Sequence, residues 1–185
     1  MTLRIIAGTF KGRLLKTPKN GATRPTQGML RGAVFNICQN QIEKARFLDL
    51  FAGSGAMGFE AISRGAVHVT LVENQRQAIA CIKENMKALH VESQVSLFTL
   101  DALQALKFLS TPFDLIYIDP PYDTPTHSLF EELLKKNLFA PHATLFLEER
   151  RGSNNPSPPF QSPHLLLKSS RHFGAALLHQ YQFIE

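Results

Sequence analysis

The sequence predicts an α/β fold: a Rossmann-like, mostly parallel seven-stranded sheet with helices on both faces, preceded by a small N-terminal hairpin and helix. Three observations predict it. Short apolar runs recur at 47–51, 68–73, 95–99, 113–119 and 143–149, segments of helical periodicity separate them, and a glycine-rich turn joins the first run to the first of those helices. Continuously apolar strands that alternate with helices belong to a parallel sheet covered on both faces.

A chain of 185 residues with 44% hydrophobic and 19% charged content is sized for a single globular domain with a sizeable core. No apolar run reaches the ~20 residues needed to cross a bilayer. The start, MTLRIIAGTFKGR, carries charge where a secretory signal is apolar, so a soluble cytoplasmic protein is expected. Cys38 and Cys81 stand alone, without a CxxC partner, and read as reduced filler rather than a disulfide or zinc site. The net charge of +5 is unevenly spread: residues 1–36 hold Arg4, Lys11, Arg13, Lys16, Lys19, Arg24 and Arg31 with no Asp or Glu. A positive arm ahead of a slightly negative body is the footprint of a phosphate-binding element, although a solvated basic tail has the same composition.

Residues 3–16 read as a hairpin around Gly-Thr-Phe-Lys-Gly, and 18–25 as a loop. Met29, Leu30, Ala33, Val34 and Ile37 then recur at helical spacing, with Thr26 placed as the N-cap. This divides the chain into a basic extension over 1–43 and a sheet domain over 44–185. Strands are expected at FLDLF, HVTLVE, VSLFT, FDLIYID and ATLFLEE, and helices at 56–64, 75–89, 102–109 and 128–137. LLLKSS and AALLHQYQFI read as two closing strands antiparallel to each other. The segment 153–163, rich in proline and polar residues, reads as an exposed loop.

The first strand runs into Ala52-Gly53-Ser54-Gly55-Ala56-Met57-Gly58 and then a helix. Glycines there permit a sharp turn and close backbone approach to a ligand, while the helix N-terminus supplies partial positive charge. Gly53, Gly55 and Gly58 spell GxGxxG, and Glu73 ends the next strand about 20 residues on, as a dinucleotide fingerprint also would. Two features favour S-adenosylmethionine over NAD. Asp49, near the strand's end, would repel a pyrophosphate and attract a sulfonium or an ammonium. A dehydrogenase would also need a further substrate domain. Glu73 suits the ribose hydroxyls and Asp101 the adenine amino group, though Asp101 can equally cap the helix that follows. Phe51, Ser54, Asn74 and Ala102 are placed in the same cofactor site.

The fourth strand ends in Asp119-Pro120-Pro121-Tyr122. In an open parallel sheet a ligand binds where strand order reverses, between the first and fourth strands, so this turn and the glycine loop should share one crevice. An exocyclic base amine is a poor nucleophile because its lone pair is delocalised into the ring. Asp119 accepting one N–H and the Pro120 carbonyl the other would aim that lone pair at an activated methyl group. Pro121 stiffens the turn and Tyr122 can stack on the base, worth about 1–3 kcal/mol. The base must be unpaired or flipped out to reach it.

Together these residues resemble a class I methyltransferase of the amino-group type. More closely, LRIIAGTFKGRLL, the group Arg24, Pro25, Thr26, Arg31, Phe35 and Asn36, LDLFAGSGAMGFEAISRGA and DPPY resemble the bacterial RsmD family, which methylates the N2 of one guanine in 16S ribosomal RNA. The resemblance implies S-adenosylmethionine as cofactor and ribosomal RNA as partner, in a small-subunit assembly intermediate, with no membrane and no metal. It implies RNA contacts at Arg24, Thr26 and Arg31, joined by Lys11 and Arg13 of the basic hairpin. Gly28, Met29 and Gly32 depart from the charged residues usual in the family, and Arg171-His172-Phe173-Gly174 matches its late basic residue and glycine. The rivals are a DNA amino-methyltransferase, which would carry a target-recognition domain, an NAD-binding oxidoreductase, and an RNA-binding module without catalysis.

Overall fold

The computed structural model describes residues 3–18, 25–121, 124, 126–150 and 159–185. Strands β1 (Leu3–Arg4) and β2 (Leu14–Leu15) form the antiparallel hairpin, and α1 (Pro25–Ile37) follows. The alternation then runs β3 (Arg46–Asp49), α2 (Ala56–Ser63), β4 (His68–Val72), α3 (Arg76–Leu89), β5 (Val95–Phe98), α4 (Ala102–Leu106), β6 (Phe113–Ile118), α5 (Thr126–Lys135) and β7 (Phe139–Arg150). Strands β8 (Leu165–Phe173) and β9 (Ala176–Phe183) close the chain.

The large sheet has seven strands in the order β5-β4-β3-β6-β7-β9-β8. The first five are mutually parallel, and β9 is antiparallel to both β7 and β8. The order reverses between β3 and β6, whose register pairs Asp49 with Tyr117. On one face, Phe47, Val69, Leu115 and Phe146 pack with Leu30, Val34 and Phe35 of α1, Phe59 of α2, Ile82 of α3, and Ile5 and Leu15 of the hairpin region. On the other, Leu48, Ile116, Leu145 and Tyr181 pack with Ala105 and Leu106 of α4 and Leu129, Phe130 and Leu133 of α5. Non-directional burial of apolar area drives both faces.

Two local expectations are corrected. Helix α1 begins at Pro25, so Thr26 lies inside it rather than capping it; proline suits the first helical position because its φ is preset and its missing amide would be unbonded there. Strand β7 starts at Phe139, four residues before the apolar run at 143, because Phe113 pairs with Phe139 across a register shift in which His142 takes a positive φ of 59°. The loop before β8 is described from residue 159; residues 159, 161 and 163 are exposed, while half-buried Phe160 packs at a tilt against Phe130, ring centroids 4.7 Å apart, and donates its amide to the Tyr181 hydroxyl. Arg24 and Tyr122 lie outside the described residues.

Candidate active site

The glycine loop leaves β3 at the carboxyl edge of the sheet. Gly53 (φ 54°) and Gly55 (φ 79°) turn it through left-handed backbone, and Gly55 caps α2 without a side-chain bond to the helix's first amides. Gly58 serves packing: a Cβ there would stand 2.5 Å from Leu71 Cδ2 and 2.7 Å from Val69 Cγ1. The fingerprint therefore combines turning with close helix-to-sheet approach.

Three carboxylates stand at the carboxyl ends of β3, β4 and β5, at this edge of the sheet. Asp49 is 1% exposed, and its Oδ1 accepts one long bond, from the Phe51 amide at 3.3 Å. Burial pushes its carboxyl up to about 8, with Asp119 and Glu73 adding to the effect. Glu73 is held by backbone: Oε2 accepts from Gly53 N at 2.7 Å, and Oε1 from Asn74 N at 2.9 Å and Gln75 N at 2.8 Å. Those bonds fix the carboxylate against the loop. Asp101 caps α4, accepting from Leu103 N at 2.9 Å through Oδ1. Ser54 and Phe51 are half-buried, Asn74 is exposed, and Ala102, the first residue of α4, is buried.

The turn 119–121 leaves β6, the neighbouring parallel strand, at the same edge; Leu50 N donates to Tyr117 O at 3.1 Å between the two. Asp119 and Pro120 are half-buried and Pro121 is exposed. Two residues before Asp119, the buried Tyr117 donates its hydroxyl to Glu148 Oε2 at 2.6 Å. Burial, then the charges of Glu148, Asp119 and Asp49, raise the Tyr117 hydroxyl well above its ordinary value, which keeps it a donor. Asp49, Tyr117, Asp119 and Glu148 thus form one polar cluster beneath both loops. Tyr117 and Glu148 were not singled out from sequence; the strand alternation that aims Tyr117 with Asp119 was the available signal.

The basic arm is built differently from its sequence reading. Glu60 on α2 is fully buried and accepts from Ile6 N at 2.8 Å, Ala7 N at 3.0 Å and Arg64 Nε at 2.8 Å. Arg31 is 5% exposed, with Nη2 on Arg4 O at 2.7 Å and Nε 3.6 Å from Glu60 Oε2. Burial lowers its guanidinium from the ordinary value, and Glu60 opposes that. Arg31 therefore braces the hairpin instead of offering a free cation to phosphate. Arg13 donates to Ala88 O at 2.6 Å, at the C-terminal end of α3, and exposed Lys11 stands in the turn beside Gly8, which abuts Ser63 at the end of α2. Both helices run antiparallel to the strands, so Lys11 and Arg13 sit at the pole opposite the crevice. Asn85 brings the arm back toward it: Oδ1 accepts from Lys16 N at 2.8 Å, while Nδ2 donates to Lys16 O at 3.0 Å and Ser54 O at 3.1 Å.

Among the described residues no group of three or more His, Cys, Asp or Glu could hold a metal ion, and no helix is long and apolar enough to cross a membrane. Cys38 is buried, its thiol pushed up to about 12 by burial, and Cys81 is half-buried.

The family described as "Conserved hypothetical protein 95" matches residues 3–182. "Ribosomal RNA small subunit methyltransferase D" of Buchnera aphidicola (Acyrthosiphon pisum) is 37% identical over 73% of this chain and 74% of its own length. The protein of that name from Escherichia coli K12 is 34% identical over 85% and 79%. The solved structure of yhhF from Escherichia coli superposes with a TM-score of 0.87 at 28% identity, covering 99% of this chain and 98% of that one. SMU.776, solved in complex with SAH, shares the fold at 16% identity and a TM-score of 0.71, over 94% of this chain and 52% of that one.

Proposed function

Because the chain belongs to the ribosomal RNA small subunit methyltransferase D family, we propose that it transfers a methyl group from S-adenosylmethionine to the exocyclic N2 amine of a guanine in 16S ribosomal RNA. The observation that carries this reading is the pairing of two carboxylates on adjacent strands: buried Asp49 under the glycine loop and Asp119 at the head of a proline turn.

The residues fit such a donor. A carboxyl in a dry site with one long hydrogen bond gains from a cationic group, and the neighbouring Asp119 adds negative charge that would repel a pyrophosphate. When bound, S-adenosylmethionine supplies a methyl group on a sulfonium leaving group. Asp49 attracts the cation, Glu73 accepts ribose hydroxyls and Asp101 the adenine amine, while Phe51, Ser54, Asn74 and Ala102 shape the walls. Asp119 accepts one N–H of the guanine amine and the Pro120 carbonyl the other. That orientation holds the nitrogen lone pair for in-line attack, an effect worth up to about 7–11 kcal/mol in favourable cases. Pro121 keeps the turn rigid and Tyr122 stacks on the flipped base. Arg24 and Thr26, in the basic extension over 1–43, contact the RNA. The setting is a cytoplasmic small-subunit assembly intermediate.

The test is transfer of labelled methyl to small ribosomal subunits from cells lacking the enzyme, with the modified base mapped. Asp119→Ala should bind S-adenosylhomocysteine as the unmodified chain does and lose at least about a hundredfold in transfer. Undiminished turnover by that variant would remove Asp119 from the role.

A further inference from the structure

The nucleotide's route into the crevice leaves a question of charge, since Lys11 and Arg13 lie at the far pole and Arg31 is buried. A second basic stretch lies at the other end of the chain. From 150 to 184 the sequence contains Arg150, Arg151, Lys168 and Arg171 and no Asp or Glu. Two of these cations stand on β8, the last strand of the sheet.

The strand is unusual for its exposure. Of Leu165–Phe173, residues 166–168 and 170–172 are all exposed, so side chains on both faces reach solvent. Among the described residues no strand pairs with its outer edge, and the side chains of Lys168 and Arg171 make no hydrogen bond or ion pair there. Because β8 runs parallel to β7, its C-terminal end lies at the same edge of the sheet as the turn 119–121. Arg171 shares a face with Phe173, which packs on the core beneath α1, the face that also carries Tyr117. Three strand spacings of about 4.8 Å separate β6 from β8, roughly 14 Å.

We propose that the exposed β8 edge, through Lys168 and Arg171, is a phosphate-binding surface for the RNA that flanks the target nucleotide; this rests on the proposed RNA methyl transfer and adds its second contact surface. Charge selects the occupant: a cationic strand without a single acid complements phosphate. The edge also argues against an added peptide strand, because its register shifts between Leu167 and Ser169 and a lysine stands at the shift, two devices that interrupt continuous strand pairing.

The experiment compares the unmodified chain with Lys168→Ala/Arg171→Ala and a control of equal charge loss on α3, Lys83→Ala/Lys87→Ala. Binding to naked 16S ribosomal RNA is followed against salt, methyl transfer against RNA concentration, and S-adenosylhomocysteine binding by thermal shift. The β8 pair should weaken RNA binding about tenfold near 0.1 M salt and lower the slope of log K against log salt by roughly 1 to 2. Its effect on transfer should fall on KM rather than kcat, with S-adenosylhomocysteine binding and melting temperature retained. Equal losses in both pairs, or an unchanged salt slope in the β8 pair, would overturn the assignment. So would intact binding to naked RNA with impaired methylation of subunits, which would make the edge a protein contact. Failure of the unmodified chain to methylate any RNA would instead sink the proposed reaction, while the binding comparison would still decide the surface.

Discussion

Glu60 is the residue on which the N-terminal hairpin depends, and its removal allows a worked prediction. Glu60→Ala takes away the acceptor of the Ile6 and Ala7 amides and the counter-charge of Arg64 and of Arg31, which is 5% exposed. A buried charge left without its partner costs about 3–5 kcal/mol, and each orphaned amide would add about 1–3 kcal/mol if the hairpin stayed docked. A hairpin with two-residue strands cannot return that much, so it should come away and let water reach Ile6, Ala7 and Arg31. The loss is then capped near 3–5 kcal/mol, a large share of the 5–15 kcal/mol typical of a domain. Urea denaturation should show it, and hydrogen exchange should lose protection at Ile6 and Ala7 while Leu48 and Ile116 in the sheet keep theirs. Adding Arg31→Met should recover part of the loss, with a coupling of about 1–3 kcal/mol, because it removes the stranded cation. A loss below about 1 kcal/mol with both amides still protected would refute the reasoning.

The other predictions are shorter. The Asp49 carboxyl, raised from 3.8 to about 8 in the folded chain, contributes stability that is complete below about pH 4 and lost as pH rises through about 8. Thermal melts of cofactor-free protein should therefore fall from pH 6 to 8 by up to about 2–3 kcal/mol relative to Asp49→Asn; parallel profiles would contradict it. Gly58→Ala should cost about 1–3 kcal/mol by overpacking Leu71 and Val69. Gly32→Ala, whose added methyl meets nothing within 4 Å in the middle of α1, should gain about 0.5–1 kcal/mol; equal signs in denaturant midpoints would count against this contrast. Tyr117→Phe leaves Glu148 without its 2.6 Å donor in a buried site and should cost about 1–3 kcal/mol, read from the same unfolding curves.

Most of the sheet was legible because its signals are local. FLDLF and FDLIYI read as buried strands from their apolar runs, and β3 and β6 occupy those places as neighbours at the point where strand order reverses. Asp101 was read as both ligand and cap, and its bond to Leu103 N is the cap. The start of β7 was hidden because the run Ala140-Pro141-His142 does not resemble a strand, and only pairing with Phe113 recruits Phe139. The fates of the basic side chains were hidden too. Arg4, Lys11, Arg13 and Arg31 look alike as charges, yet Arg31 is buried against a carboxylate on another helix, and Arg13 reaches a carbonyl 75 residues away.

By itself, then, the amino-acid sequence determined the alternation of strands and helices, the glycine loop after the first long-sheet strand and the proline turn after the fourth, because periodicity, turn residues and chain direction act over a few positions. Tertiary structure alone decided which cations remain at the surface, that Glu60 and Asn85 tie the arm to α2 and the glycine loop, and that Tyr117 and Glu148 lie under the crevice. Those outcomes depend on desolvation and on partners dozens of residues distant, and neither quantity is written in the spacing of letters along a chain.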